Sequence, residues 1–202
     1  MTVRANKPAF NVREKIKELD YSHVPYEKIN PGGIVQVVQT EFRNSWSNTT
    51  ATPAKVTGLS TVITPKFASS KILIRCDVHL GLSYWQVVGR LYKDGVRITD
   101  AEGIQEGNRP QGWFTLVDYG ENSLGNQTSP IISVYSKYEM QTMSASYVDT
   151  ANTVSPITYD LYVGSLWSTN YPTYVNRQHV WNNASGYTCQ PISTITVMEI
   201  KQ

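Results

Sequence analysis

The chain has 202 residues, of which 40% are hydrophobic and 17% charged, and its 18 Lys and Arg stand against 16 Asp and Glu for a formal net charge of +2. That charged fraction is below the ~25% usual for soluble domains, and 13 tyrosines among many Thr, Ser and Val residues shift the balance toward strands. So slight an excess of positive charge excludes the clustered basic face of a nucleic-acid binder, and no run is apolar for long enough to predict membrane insertion.

Residues 1–32 read as an arm. They open without the apolar core of a signal peptide, so no export is expected. Six Lys/Arg and four Asp/Glu lie in residues 1–30, which leaves twelve of each for the remainder. Within the arm, 11–20 predicts a short helix. Asn11 can cap it, Glu14 falls at the third helical position, and Val12, Ile16 and Leu19 share one face. A helix this short is marginal in water alone, so it needs a surface to lie on. The stretch "SHVPYEKINPGG" then reads as an extended linker with a Gly-Gly hinge.

From residue 33 to 202 the period changes from helix to strand. "GIVQVVQTEF" predicts a strand, "RNSWSNTTATPAK" a polar loop, and "TGLSTVITPKF" and "SSKILIRCDVHLGL" two further strands. "WQVVGRLYKDGVRIT" predicts a hairpin turning at Lys93-Asp94-Gly95, because Asp-Gly supplies the positive φ of a tight turn. Residues 101–130 are rich in Gly, Asn and Pro, with "GWFTLVDYG" a strand inside them. "IISVYSKYEM", "TMSASYVDT", "ITYDLYVGSLW" and "STITVMEI" complete the pattern. About nine or ten short strands separated by turn signals predict an all-β sandwich or barrel, of which an antiparallel sandwich is the fold expected here.

The residues that could carry chemistry are scattered. His23, His79 and His179 fall in a linker, a strand and a loop, and Asp94, Asp100, Glu102 and Glu106 sit around turns. No Cys–His grouping has zinc spacing and no phosphate-cradling or nucleophile-elbow motif occurs. No catalytic residue, cofactor or metal is therefore expected. Cys76 lies in an apolar run and reads as a buried thiol; whether it pairs with Cys189 is left open by the sequence. Asn48, Asn126 and Asn183 fit the glycosylation pattern, matches read as chance without an export signal.

Aromatic residues in polar loops are more informative. Trp113 stands in one loop, and Trp167, Tyr171, Tyr174, Trp181 and Tyr187 crowd another among Asn, Ser and Thr. Such rings suit a recognition surface touching a host glycan or protein. They equally suit a trimer interface or the covered end of a sandwich. The packed reading is preferred, since several rings left without a partner invite aggregation.

Six stretches carry a resemblance. The leader "MTVRANKPAFNVREKIKEL" resembles a start that precedes unrelated bodies in virion proteins of tailed phages of marine cyanobacteria. "GGIVQVVQTEF", "LSTVITPKFASSKILI", "RLYKDGVRI", "YVDTANTVSPITYDLYV" and "STITVMEI" resemble, in order, their small β domains. The resemblance implies a jelly roll similar to the tumour-necrosis-factor and complement-head folds, assembled as a homotrimer. It further implies a tail-fibre, knob or adaptor protein in the virion, assembled in the host bacterial cytoplasm. A shared leader before unrelated bodies suggests a shared dock on another virion protein, in the tail, near the portal or on the capsid. Phe10, Val12, Ile16 and Leu19 would be its apolar contacts, with Arg4, Lys7 and Arg13 pairing with acidic groups. A capsid decoration protein is the alternative of the same class, and a carbohydrate-binding receptor module the alternative of another.

Overall fold

A computed structural model describes residues 25–82, 85–118, 140–166, 172–179 and 188–202. The expected helix at 11–20 and all seven docking residues, from Arg4 to Leu19, lie outside the described residues. Among the described residues eleven strands run in chain order as β1 (Ile34–Phe42), β2 (Trp46–Asn48), β3 (Ala54–Ile63), β4 (Lys71–Leu82), β5 (Trp85–Lys93), β6 (Val96–Arg97), β7 (Phe114–Asp118), β8 (Met140–Thr150), β9 (Ile157–Ser165), β10 (Thr173–Val175) and β11 (Ser193–Ile200). Helical geometry among the described residues is confined to two short 3-10 turns, Tyr26–Lys28 and Thr99–Ala101.

The strands form two antiparallel sheets, a jelly-roll-like sandwich. In the six-stranded sheet β4 is central. Its whole length pairs with β8 on one edge, while β11 and then β10 share the other; β1 extends from β11 and β2 from β10. In the second sheet β9 lies between β3 and β5, and β5 carries β7 and β6 on its far edge.

Period-2 alternation places the core between the sheets. β4 contributes Ile72, Ile74, Cys76, Val78 and Leu80, β9 contributes Ile157, Tyr159, Leu161 and Val163, and β11 contributes Ile195 and Val197, all fully buried. Cys76 is a buried free thiol, its pKa pushed up to about 12 chiefly by burial, and Cys189 is free and exposed. The β5–β6 hairpin turns at Asp94 and Gly95, with φ of 49° and 81°. Asp94 N–H also donates to Thr158 O at 2.9 Å and its carboxylate accepts from Thr158 N–H at 2.8 Å, tying the turn to β9.

Three expectations change. The polar loop after β1 contains the short strand β2, and the long loop after β9 contains β10; three residues each give no periodic signal. Residues 25–33 are not an extended linker. The Tyr26–Lys28 turn lies against the sandwich, with the Tyr26 ring edge-on to Phe67 at 5.6 Å and the Lys201 ammonium donating to Glu27 O at 2.6 Å. Gly32 N–H donates to Lys201 O and Lys201 N–H to Gly33 O, which extends the β1–β11 pairing outward. The C-terminal end of β11 thus fixes where the arm enters.

The sheets are fastened at their edges by side chains. On the β1–β3 side, Thr61 Oγ1 donates to Thr40 Oγ1 at 2.9 Å and Thr40 Oγ1 to Ser60 O at 3.0 Å. On the β8 side, the Asp149 carboxylate accepts from Lys93 Nζ at 2.7 Å and from Tyr159 OH at 2.8 Å. Burial, then the bond to Asp149, raises the Tyr159 phenol far above its ordinary pKa, so it remains a donor at any physiological pH.

Candidate interaction surfaces

Three buried polar side chains hold the sandwich together. Glu199, fully buried at an inward position of β11, accepts from the Lys66 and Phe67 amides, Ser70 Oγ and Gln36 Nε2. Asn176, also fully buried, donates to Phe42 O at 2.6 Å and Asn44 O at 3.1 Å and accepts from Ser193 Oγ at 2.5 Å. Asn48 donates to Thr52 O and Val163 O and accepts twice from Thr50. Its amide is therefore committed to the fold, and this glycosylation match is not an acceptor site. His79 Nδ1 meets Thr142 Oγ1 at 2.8 Å across β4 and β8. Among the described residues no group of three His, Cys, Asp or Glu could hold a metal ion.

Two of the six singled-out aromatics are described, and one requires correction. Trp113 is not a surface aromatic. Its backbone N–H donates to Gly89 O at 2.7 Å, so the β5–β7 ladder begins one residue before β7, and the residue joins the buried core cluster at 9% exposure. Next to it Phe114 covers Gly89, where any Cβ would overlap the ring. Tyr174, on β10, is half-buried, with the Arg177 guanidinium 4.4 Å from its ring centroid and the His179 ring edge-on at 5.6 Å. Trp167, Tyr171, Trp181 and Tyr187 lie outside the described residues.

Register brings together two surfaces that linear sequence does not display. The first is an apolar row across the outer face of the six-stranded sheet. Val37 stands opposite Met198, Met198 opposite Leu73, and Leu73 opposite Val148. Leu73 lies between the core residues Ile72 and Ile74 and Met198 between buried Val197 and Glu199, so the row points away from the core. Val37 and Val148 remain 53% and 51% exposed, and Ile34, opposite Ile200, 54%. The rows beyond it on the same face are polar, with Arg75, Asp77 and Ser144 joined by hydrogen bonds. Those bonds outweigh burial and hold the Asp77 carboxyl below its usual range.

The second surface is a cleft of about 380 Å³ on the outer face of the other sheet, lined by Gln86, Arg90, Arg97, Gln105, Asn108, Arg109, Pro110, Gln111 and Leu166. The fully buried Glu102 carboxylate lies beneath it. Arg97 donates to both its oxygens, while Arg90 Nε stands 4.0 Å away.

No protein-family model matches the chain, and no curated protein matches it in sequence. Long-range contacts join stretches far apart in the chain: Glu199 in "STITVMEI" grips the turn in "LSTVITPKFASSKILI", and Asp149 in "YVDTANTVSPITYDLYV" grips Lys93 in "RLYKDGVRI".

Proposed function

We propose that the chain is a non-enzymatic structural protein of a tailed-phage virion. Three copies associate through the β domain and project outward as a fibre, knob or adaptor, while the N-terminal arm fastens each copy to a larger virion component. Three linked arms hold more firmly than one, because the second and third dock at high effective concentration.

The observation that carries this reading is the Val37–Met198–Leu73–Val148 row. A contiguous exposed apolar patch rimmed by polar residues marks an association surface, and this one lies on the flat outer face of a jelly-roll sheet. On that face it is flanked by Gln39, Thr196, Arg75 and Ser146 on one side and by Ile34, Ile200, Lys71 and Thr150 on the other, one cation to each flank, and the row would pack toward the threefold axis of the trimer. The arm enters beside the same end of the sheet, through the Gly32 and Lys201 pairing. The order of the resembling segments supplies the virion context, and the saturated buried carboxylates fit a protein whose polar interior serves assembly rather than turnover.

Sedimentation equilibrium tests the association. The full chain is expected to show a mass about three times the 22.7 kDa of one copy. Val37→Glu with Val148→Glu should weaken association by roughly a hundredfold, since each places a carboxylate in an apolar interface. Both positions are more than half exposed in one copy, so the variant's melting is expected to stay within a degree or two under monomeric conditions. A monomeric mass for the unaltered chain at tens of micromolar contradicts the trimer.

A further inference from the structure

We propose that the arginine-lined cleft on the outer face of the β3–β9–β5 sheet binds an acidic saccharide, with its anionic group on Arg90, Arg97 and Arg109 and its hydroxyls on the surrounding carboxamides. The site is distinct from the apolar row, and it does not depend on the virion reading.

Charge is the first argument. Among the described residues three guanidinium groups line the cleft and no carboxylate does. The acids nearby face other ways: Glu102 is fully buried and held by both donors of Arg97, and Glu106 is matched by Arg109 at 3.1 Å. Three cations against two anions leave one positive charge in excess, and Arg90 is the group least neutralised. Its side chain is only 16% exposed, its Nε has no hydrogen-bond partner, and Glu102 is too far away to supply one. Burial first, and then the neighbouring Arg97 charge, disfavour its protonated form, the opposite of what a well-paired arginine experiences. An incoming carboxylate or sulfate would relieve that cost, and guanidinium forks bind such groups bidentately.

The remaining walls argue for a saccharide rather than a bare anion. Gln86, Gln105, Asn108 and Gln111 ring the arginines, and carboxamides both donate to and accept from hydroxyls. Gln105 and Gln111 use their Nε2 groups on Gly107 O and Gly103 O, contacts that brace the loop and point each amide. Beside the cleft, Tyr162 lies across the strand pair from Arg90 and stacks on Tyr92 at 3.8 Å between centroids, extending the same face with aromatic surface. A volume near 380 Å³ is that of a small-ligand site and suits one or two sugar rings.

Calorimetric titration of the full chain tests this with three probes: a uronic-acid disaccharide, a neutral disaccharide of the same size, and inorganic sulfate. The uronic disaccharide is expected to bind saturably in the micromolar-to-millimolar range, with the neutral sugar and sulfate each at least about tenfold weaker. Arg90→Gln and Arg109→Ala should each weaken the acidic sugar at least about fivefold. Arg109 is 81% exposed, so its replacement leaves folding intact and decides the matter alone if Arg90→Gln does not fold. The proposal is overturned by absence of saturable binding to the acidic sugar, or by equal binding of the neutral one. Sulfate binding as tightly as the disaccharide, or unchanged affinity in the folded variants, overturns it equally.

Discussion

Glu199→Ala is expected to lower stability by about 3–4 kcal/mol, because it strands several buried donors that cost ~1–3 kcal/mol each when unpaired. The Lys66 amide reaches Oε1 and Oε2 at 2.9 and 3.0 Å, the Phe67 amide and Ser70 Oγ reach Oε1 at 3.1 and 2.7 Å, and Gln36 Nε2 reaches Oε2 at 2.6 Å. One carboxylate therefore closes the β3–β4 turn, ties β1 to β11 and seals that end of the core. For a domain of this size the loss corresponds to a fall in Tm of roughly 8–14 °C, measurable by calorimetry. Burial alone would raise the pKa of Glu199, but the donors, led by Gln36 and the Lys66 amide, outweigh it and hold the carboxyl below its ordinary value of 4.5. A carboxyl whose folded pKa is depressed contributes stability that is complete above the unfolded value and is lost as pH falls through the folded one. Stability should accordingly drop as pH falls below about 5. Glu199→Gln should be less stable at pH 7 yet show a flatter acid limb. An acid limb of unchanged steepness in that variant would assign the proton uptake to other groups.

Asn176→Ala should destabilise by about 3 kcal/mol, for two separable reasons. The side chain binds Phe42 O and Asn44 O where β1 bends into β2, and receives Ser193 Oγ, which itself accepts from the His79 amide. The backbone has φ of 58°, a left-handed conformation that costs alanine about 1 kcal/mol more than asparagine or glycine. Asn176→Gly removes the hydrogen bonds while keeping the conformation, so it should recover about 1 kcal/mol of the alanine loss. Denaturant unfolding of the two variants measures both parts. Equal stability of Ala and Gly would mean that the backbone conformation adds nothing.

The legible part of this fold was the part written in local period. Alternation in "SSKILIRCDVHLGL" and "ITYDLYVGSLW" marked β4 and β9, and Asp94-Gly95 marked the hairpin, because strand spacing and a positive φ are properties of a few adjacent residues. β2 and β10 were not legible, since three residues carry no period; β10 exists as a strand because β4 offers an edge, and β2 because β10 does. Trp113 read as a loop ring because the hydrogen bond that draws it inward comes from Gly89, more than twenty residues away. Glu199 broke the expectation that inward positions are apolar; its donors arrive from the β3–β4 turn and β1, which no local pattern announces. Both interaction surfaces depend on register for the same reason. Val37, Leu73, Val148 and Met198 form a row only once four strands are paired, and Arg90 and Arg109 meet only when the loop after β6 folds over the sheet.

Composition of purified phage particles, with and without residues 1–24 of this chain, tests the virion assignment most directly. The intact chain is expected in particles at a fixed stoichiometry by quantitative mass spectrometry. The truncated chain should remain in the lysate as a folded oligomer and be absent from particles. An intact chain missing from purified particles, or a truncated chain incorporated at the same level, would contradict the assignment.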